Sequence, residues 1–292
     1  MEIPVGTRDA ILDWFDASGR DLPFREARDP YAVLVSEIMA QQTQIARASA
    51  KWSSFLARFP TVDALAGAAP ADVLREWRGL GYNRRALNLQ RAARVIVAEH
   101  GGRIPDEVDA LERLPGVGPY TARAVAAIAF GRPVGPVDTN VRRVLGRIVG
   151  GPRQPSGRAL QAMADAAVPA HRPAGWTHAL MDLGATICRA ARPLCAECPA
   201  RHWCRFAAEA PVAAERRSLR PARQPFAATS RWLRGRLMDR LRDAPGDTWI
   251  RVVGPVGSHA DEAVAQALQQ MVSEGMIEVD ASDPRCARLP VA

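Results

Sequence analysis

The stretch from residue 111 to residue 147, LERLPGVGPYTARAVAAIAFGRPVGPVDTNVRRVLGR, constrains the fold of this chain most strongly. One apolar helix is predicted to run to Leu114 and another to begin at Pro119, because proline fits the first turn of a helix. Between them, Gly116 and Gly118 let backbone N–H groups approach a ligand closely, and such a cluster at a helix start suits a phosphate. The same turn sequence is also common in turns that bind no ligand, so a phosphate site and a purely structural turn are both open interpretations at this point.

Two acidic residues occupy positions from which they could take part in catalysis. Asp138 stands just before the helix predicted for NVRRVLGRI, where its carboxylate could cap the helix or face a reaction centre. Glu37 lies inside the apolar segment DPYAVLVSEIMA, which we predict to be helical over residues 30–40. A glutamate in such a helix is paired, displaced to the surface edge, or functional, and the segment alone does not decide.

Helical periodicity runs through the first part of the chain, and no strand-like alternation occurs before about residue 248. We therefore predict that the first two hundred residues are all α. The first helix is predicted to be capped by Thr7 and to end at Gly19. The predicted helices cover residues 7–20, 30–40, 45–58, 70–79 and 83–100.

Composition narrows the class of protein. With 292 residues, the chain can form one large domain or two ordinary ones around a real core. The formal net charge of +8 comes almost entirely from arginine, since Lys51 is the single lysine. That excess is compatible with a polyanionic partner, but an arginine-rich genome would produce the same bias. Without an apolar run long enough for a membrane span, or a basic-then-apolar export signal, we expect a cytoplasmic protein.

Four of the five cysteines lie close together, in the spacing C-x6-C-x2-C-x5-C. In an intracellular chain, this density indicates a metal site rather than disulfides. A single C-x2-C with unequal flanking gaps is less like a zinc ribbon, and four thiolates can hold a [4Fe–4S] cluster, so iron–sulfur is favoured over zinc. The predicted ligands are Cys188, Cys195, Cys198 and Cys204, while the isolated Cys286 is predicted to be structural.

The C-terminal part of the chain changes in character. Residues 207–226 are predicted to be a linker, because they contain charged residues and prolines, among them Pro221 and Pro225. The following pattern is helix, strand, helix and hairpin, which suggests a small winged-helix-like α+β domain over residues 227–292. Such a module could contact DNA or serve as a structural appendage. Its predicted elements are a helix at 229–242, a strand at 248–253, a helix at 261–274 and a hairpin at 276–289.

Taken together, these segments resemble the helix-hairpin-helix superfamily of iron–sulfur base-excision DNA glycosylases, and most closely the A/G-mismatch adenine DNA glycosylases. The resemblance covers roughly residues 20–206, and its segments stand in the family's order. It implies a mainly α, two-lobed helix-hairpin-helix glycosylase fold within residues 1–206. A six-helix lobe is expected at about 25–135, and the N-terminal helix with 136–206 is expected to form the iron–sulfur lobe. The matching segments are LPFR, DPYAVLVSEIMAQQTQ, GLGYNRRALNLQRAA, LPGVGPYTARAVAAIAFG, VDTNVRRVLGR, LMDLGATIC and the four-cysteine loop.

The resemblance implies a catalytic role for four residues. Glu37 matches the general acid that protonates adenine N7, and Asp138 matches the carboxylate that stabilises the oxocarbenium-like sugar. This division of roles requires one carboxyl that stays protonated in an apolar pocket and another that is ionised near the developing positive charge. Tyr120 is similar to the residue that supports the sugar and Asp138, and Asn140 to the side chain that orients the site.

Further positions resemble the family's DNA-binding residues, and the implied partner is double-stranded DNA that contains a mismatch. Gln41 and Gln42 match the wedge that enters the base stack when the target base is extruded, and Tyr82 matches an aromatic that probes the opposite strand. The resemblance also implies a monomer that is nucleoid-associated in a bacterial cytoplasm. The remaining implied contacts to phosphates or the base are Arg25, Gly116, Val117, Gly118 and His178.

Position 120 decides the type of reaction that the resemblance implies. Related bifunctional glycosylases carry a lysine there, whose amine forms a Schiff base and then cleaves the strand. Tyr120 has no amine, so a monofunctional glycosylase that leaves an abasic site is expected.

The sequence also departs from the family's pattern. Asn83 stands where a second tyrosine is common, Ala40 where a leucine is usual, and His178 where a glutamate or glutamine lies beside the adenine. The tail lacks the Nudix-like domain that many members use to recognise 8-oxoguanine. These departures leave the base pair open, so thymine or uracil opposite guanine is the first alternative substrate. A non-catalytic iron–sulfur DNA-binding regulator is the second alternative, although it would not need both Glu37 and Asp138.

Overall fold

The computed structural model describes residues 3–153, 155–209, 224–246 and 248–291. Within these ranges the first strand begins after residue 249, which confirms the prediction that the first two hundred residues are helical. The helices are α1 (Val5–Ser18), α2 (Pro30–Ala40), α3 (Ile45–Arg58), α4 (Val62–Gly67), α5 (Pro70–Glu76), α6 (Arg84–His100), α7 (Val108–Glu112), α8 (Pro119–Phe130), α9 (Thr139–Gly150), α10 (Gly157–Ala167), α11 (Pro173–Thr186), α12 (Arg205–Glu209), α13 (Ser230–Asp243) and α14 (Asp261–Ser273). The strands are β1 (Ile250–Arg251), β2 (Glu278–Val279) and β3 (Cys286–Arg288).

The predicted helix boundaries hold for α2 and α3 and shift elsewhere. The prediction that Thr7 caps the first helix is wrong, because α1 begins at Val5 with Pro4 in the cap position and buries the Thr7 side chain completely. Helix α5 ends at Glu76 rather than at residue 79. Helix ends are set by local capping and by tertiary packing, and the sequence shows only the first of these.

The chain divides into two compact units, and each is formed by segments that are distant in sequence. The first unit contains the described residues of Met1–Ile38 and Ile104–Arg217. Its core lies among α1, α9, α10 and α11, where the largest fully buried side chain is Trp176. Three of the predicted metal-binding cysteines, Cys188, Cys198 and Cys204, pack against this core. The loop that follows α11 is therefore anchored by apolar contacts as well as by its cysteines.

Glycine allows α9 and α11 to pack closely in the first unit. A Cβ atom placed on Gly184 would lie 2.5 Å from Asn140 Cβ and 3.0 Å from Asn140 Cα. Those separations are well inside van der Waals contact, so only glycine permits the observed approach. Asn140 therefore takes its position from the packing of these two helices.

The second unit contains the described residues of Met39–Arg103 and Ser218–Ala292. Phe55 and Trp77 meet edge to face in its core, with ring centroids 5.9 Å apart. Helix α13 is tied to α5 and α6 by the buried side chain of Arg242, which donates to Leu74 O and to Asn83 Oδ1, both at 2.8 Å. Asn83, a departure from the family's pattern, therefore binds the C-terminal part of the chain.

The C-terminal elements follow the predicted order. Helix α13, strand β1, helix α14 and strands β2 and β3 follow one another along the chain. The three strands form an antiparallel sheet in the order β1-β3-β2. The strands are shorter than predicted, but the helix, strand, helix and hairpin pattern is confirmed.

The two compact units do not coincide with the predicted domains. Residues 227–292 are grouped with residues 39–103, and residues 104–135 are grouped with the described residues of the predicted iron–sulfur lobe. The predicted linker falls largely on residues 210–223, which lie outside the described residues, and the predicted domain division stays a prediction. Within the described ranges, none of the helices combines the length and the apolar character that crossing a bilayer requires.

The packing at Gly184 gives a test of stability. We expect Gly184→Ala to lower the free energy of unfolding by about 1–3 kcal/mol, because the added methyl group overpacks the contact with Asn140. As a control, Gly235→Ala in the middle of α13 has no heavy atom within 4 Å of the new methyl group. It should raise that free energy by up to about 1 kcal/mol, because alanine favours a helix over glycine. Thermal unfolding measures both, and a gain for both variants would contradict the packing.

Candidate active site

Glu37 is buried on an apolar helix. Its side chain is only 7% exposed, and in the described part of the chain its Oε2 atom has no hydrogen-bond partner. Burial raises the pKa of Glu37 from its ordinary value of 4.5 to about 7, a hydrogen bond from Tyr120 opposes this rise, and the negative charge of Asp138 adds to it. A large fraction of Glu37 is therefore a protonated carboxylic acid at neutral pH, as a general acid must be.

Asp138 caps a helix, as one of the two interpretations of the sequence proposed, and its negative charge also acts on Glu37, while its role in a reaction centre stays a prediction. It precedes α9, where its Oδ1 accepts a hydrogen bond from Val141 N at 2.7 Å. Its Oδ2 accepts from Asn140 Nδ2 at 2.9 Å. These two donors hold the half-buried carboxylate in one orientation.

Tyr120 is hydrogen-bonded to Glu37. It lies in the first turn of α8, where its hydroxyl donates a hydrogen bond to Glu37 and lies 3.7 Å from Met181 Sδ on α11. Burial and the charges of Glu37 and Asp138 raise the pKa of Tyr120 well above 10. The side chain is therefore a neutral phenol that can donate but not lose its proton near neutral pH.

Asn140 is fixed from its other side by Arg143. Arg143 Nη2 donates to Asn140 Oδ1 at 2.7 Å and to Gly184 O at 2.6 Å. Its Nε donates to Cys188 O at 2.6 Å. The orientation of the Asn140 amide, and hence its bond to Asp138, is set by these contacts.

His178 lies on α11 and packs against an aromatic ring. Its imidazole stacks on Phe15 with centroids 6.5 Å apart. Burial, and secondarily the charge of Arg25, lowers the pKa of His178 to about 4. The neutral ring has one donor and one acceptor nitrogen, which is what hydrogen bonding to the edge of a purine requires.

The sequence did not reveal the partner of Arg25. The Asp182 carboxylate is fully buried and accepts from Arg25 at 2.5 and 2.9 Å and from the Arg20 side chain at 2.6 and 2.8 Å. The Arg25 guanidinium also lies over the Phe15 ring. Arg25 is therefore held in an ion pair that supports the Phe15–His178 stack, and a contact of Arg25 with DNA or with the base stays a prediction. The sequence offered one indication of this ion pair, which is an aspartate inside the apolar segment LMDLG together with the arginines Arg20 and Arg25.

The glycine turn lies between α7, which ends at Glu112 rather than at the predicted Leu114, and α8, which begins at Pro119 as predicted. Gly116 has a φ of +80°, and Gly118 caps α8 with no heavy atom near its absent Cβ. Val117 is buried and its N–H donates to Leu114 O at 3.1 Å, so this N–H group is engaged within the turn. The phosphate contacts assigned to the three residues stay a prediction.

Two predicted DNA-binding residues of the second unit have unusual backbone conformations. Gln42 and Tyr82, with φ of +52° and +44°, are the only non-glycine residues with positive φ in the described ranges. For L-amino acids this region costs about 1–2 kcal/mol per residue. Such strain is concentrated at functional sites, and Tyr82 is also 42% exposed. Gln41 is half-buried beside them.

The four predicted metal-binding cysteines come together. All four line one small cavity, together with Arg147 and Phe206. Burial raises the pKa of the Cys198 thiol to about 11 and also raises that of Cys204, so stable thiolates here require a positively charged partner. Within the described residues, no three His, Cys, Asp or Glu side chains converge closely enough to hold a single metal ion.

Arg147 holds the loop that carries these cysteines. Its Nη1 and Nη2 atoms donate to Arg189 O at 2.8 Å and to Ala190 O at 3.0 Å, and Nη1 also lies 3.4 Å from Cys188 Sγ. The guanidinium lies over the Phe206 ring at 4.5 Å. The loop is thus bonded to α9 through its backbone, independently of any bound group.

The raised pKa of Glu37 predicts a pH-dependent effect of its replacement on stability. An acid whose folded pKa lies above its unfolded value destabilises the fold progressively as pH rises from about 4.5 to about 7. Glu37→Gln removes this penalty, so its advantage in free energy of unfolding over the wild type should grow by roughly 2–3 kcal/mol between pH 5 and pH 8. Denaturant unfolding at both pH values measures the change. Glu99→Gln, on the exposed face of α6, controls for the loss of one charge; equal advantages at the two pH values would contradict the burial argument.

Comparison with known proteins identifies the family of this chain. The model of the HhH-GPD superfamily of base excision DNA repair proteins matches residues 35–169. The chain is 40% identical over 272 residues to an adenine DNA glycosylase of Mycolicibacterium smegmatis, covering 92% of this chain and 91% of that protein. It is 46% identical over 244 residues to an adenine DNA glycosylase of Mycobacterium tuberculosis, covering 80% and 78%. The structure of a thermostable thymine-DNA glycosylase superposes with a TM-score of 0.65 at 31% identity, covering 69% of this chain and 94% of that one. The chain therefore belongs to the HhH-GPD superfamily of base excision DNA repair proteins and, within it, to the adenine DNA glycosylases.

Proposed function

We propose that this protein is a monofunctional DNA glycosylase that hydrolyses the N-glycosidic bond of adenine mispaired with guanine or 8-oxoguanine. The observation that carries the proposal is the buried Glu37, whose raised pKa keeps a proton available at neutral pH beside Tyr120 and Asp138. The similarity to adenine DNA glycosylases over most of the chain supports adenine as the released base.

In the proposed reaction, Glu37 transfers its proton to adenine N7. The bond between C1′ and N9 then breaks with its electron pair going to the base, so adenine leaves as a neutral tautomer. The sugar gains positive charge, and the Asp138 carboxylate, held by Val141 N and Asn140, stabilises it. Water adds to C1′, and its proton returns to the Glu37 carboxylate, which restores the acid.

The residue at position 120 supports hydrolysis without strand cleavage. A Schiff base needs a primary amine, and Tyr120 offers a neutral phenol instead. The single lysine of the chain, Lys51, lies on α3. We therefore infer that the product is an abasic site in an intact strand.

Recognition of the base is assigned to His178 and to the wedge and probe residues. The neutral imidazole of His178 can donate one hydrogen bond to a purine edge and accept another. Gln41 and Gln42 would enter the stack as the base leaves it, and Tyr82 would probe the opposite strand. Extrusion is required because the atoms that react lie inside the duplex.

The donor set of the cysteine loop fits a [4Fe–4S] cluster better than a zinc ion. Four ligands of one zinc ion meet at about 2.3 Å from a common centre, whereas each thiolate of a four-iron cluster binds a different iron. The four cysteines line one cavity without converging on a single centre. When bound, the cluster supplies four bonds that tie the loop from Cys188 to Cys204 together.

The loop also carries positive charge. Arg189, Arg192 and Arg201 are exposed on it, and they suit contacts with a phosphate backbone. We propose a structural role for the cluster, in which it shapes this loop for DNA binding.

Single-turnover base release from duplexes that carry A:G, A:8-oxoguanine, T:G or U:G tests the proposed activity. We expect release of adenine only, with strand breaks that appear only after treatment with alkali, because Tyr120 leaves an abasic site. Release of thymine or uracil would assign the protein to the alternative mismatch class. Covalent trapping of DNA on the protein by borohydride would contradict the monofunctional assignment.

The two carboxyl groups can be tested by isosteric substitution. Glu37→Gln and Asp138→Asn should each reduce the single-turnover rate constant by about 10²-fold or more, because each removes one charge or proton that the transition state requires. Asparagine also caps helices, so Asp138→Asn should keep α9 intact. Full activity of both variants, measured beside Glu99→Gln, would support the regulatory alternative instead.

The metal content tests the cofactor assignment. We expect iron and acid-labile sulfide in equal amounts, with broad visible absorption, in the purified protein. Cys198→Ser should lose both and bind DNA more weakly, while Cys286→Ser, outside the loop, should keep both. Zinc without iron in anaerobically purified protein would contradict the assignment.

A further inference from the structure

In the second unit, the side chain of Arg85 donates hydrogen bonds to the two loops that carry Gln42 and Tyr82. Arg85 lies in the first turn of α6, and its Nη1 atom donates to Met39 O at 3.0 Å and to Gln41 O at 2.5 Å. These acceptors belong to the residues just before and within the predicted wedge. The planar guanidinium thus holds the backbone segment that directly precedes Gln42.

The other terminal nitrogen of Arg85 holds the second loop. Its Nη2 atom donates to Leu80 O at 3.1 Å and to Gly81 O at 3.0 Å, and also to Thr43 Oγ1 at 2.9 Å. Leu80 and Gly81 directly precede Tyr82. One guanidinium therefore fixes the spacing between the loop that carries Gln42, the wedge loop, and the loop that carries Tyr82, the probe loop.

Aromatic rings complete the surroundings of Arg85. Its guanidinium lies over Trp77 at 5.3 Å and over Tyr82 at 5.6 Å from the ring centroids. On α13, Arg231 also lies over the Tyr82 ring, at 4.3 Å. The exposed Tyr82 side chain is thus supported by cation–π contacts while its backbone is held by carbonyl contacts.

The position of Arg85 in the helix and its partial burial both disfavour its positive charge. The first turn of a helix repels positive charge, and burial lowers the pKa of Arg85 to about 10, so the guanidinium is protonated but partly desolvated at neutral pH. We attribute the presence of a half-buried cation at this position to its specific geometry, because apolar residues could supply packing alone. The guanidinium is planar and rigid, and its two terminal nitrogens donate hydrogen bonds to two different loops.

We propose that Arg85 is a positioning residue for base extrusion, which holds Gln42 and Tyr82 in their left-handed backbone conformations so that wedge and probe are preformed before DNA binds. Residues in strained conformations persist only when their surroundings over-determine them, and the five hydrogen bonds of Arg85 do this for both loops. The inference rests on the proposed function, in which both residues enter the duplex.

Arg85→Lys is the informative substitution, because lysine keeps the positive charge but has a compact ammonium that cannot span both loops. Single-turnover adenine release is compared on two duplexes, one with adenine opposite 8-oxoguanine and one with adenine opposite an abasic site. The second adenine has no pairing partner, so its extrusion costs less. We expect at least a tenfold loss on the paired duplex and less than a threefold loss on the unpaired one. The matched control is Arg91→Lys, on the exposed face of the same helix, which should lose less than twofold on both.

Fluorescence of 2-aminopurine placed next to the target adenine reports unstacking directly. Its increase on binding should be at least several-fold smaller with Arg85→Lys than with the wild type at saturating protein. In a variant that already carries Gln42→Ala and Tyr82→Ala, adding Arg85→Lys should reduce the rate less than twofold further, because Arg85 acts through those residues.

The outcomes separate this inference from the proposed function. Equal losses on the two duplexes, or a full additional loss in the Gln42→Ala, Tyr82→Ala background, would overturn the positioning role and leave only a structural one. No loss on the paired duplex would overturn it as well. Wild-type protein that releases adenine from neither duplex would refute the proposed function, and the inference with it.

Discussion

The burial of Glu37 on an apolar helix is the interaction on which the candidate active site depends. A carboxyl group in that position ionises with difficulty, because it is removed from water and stands near the charge of Asp138. Helix α8 brings the Tyr120 hydroxyl to it, and the start of α9 fixes Asp138 by an ordinary capping interaction. The site therefore combines one acid that keeps its proton with one carboxylate whose orientation is set by backbone structure.

Two left-handed backbone conformations and one buried carboxyl oxygen without a hydrogen-bond partner lie at predicted functional positions of the described structure. Glu37 has an oxygen without a hydrogen-bond partner there, and Gln42 and Tyr82 have left-handed backbones. By contrast, the buried Asp182 is fully compensated by two arginines, so it orders the surroundings of the site without being reactive. The contrast between these two buried carboxyl groups comes from their partners, since cations lower the pKa of Asp182 whereas Glu37 has none.

Features set by local patterns were predicted from the sequence, and features set by distant side chains were not. The glycine turn, the helices around Glu37 and Asp138, and the order of the C-terminal elements follow from periodicity and capping residues. The Asp182 ion pairs join segments more than 150 residues apart, and no local pattern marks them. Arg85 left a local signal, a cation in the first turn of a helix, but its acceptors are carbonyl oxygens that every sequence contains. The two compact units are discontinuous in sequence, whereas linkers and changes in composition mark only contiguous segments.

The most direct test of the account is the pH dependence of single-turnover adenine release between about pH 5 and pH 9. If the buried Glu37 supplies the proton, the rate constant should level off on the acid side and fall as pH rises through about 7, approaching tenfold per unit, because the protonated fraction falls. The fall should vanish in the residual activity of Glu37→Gln. A rate constant that stays level or rises up to pH 9 in the wild type would contradict the account, because the acid would then be another group.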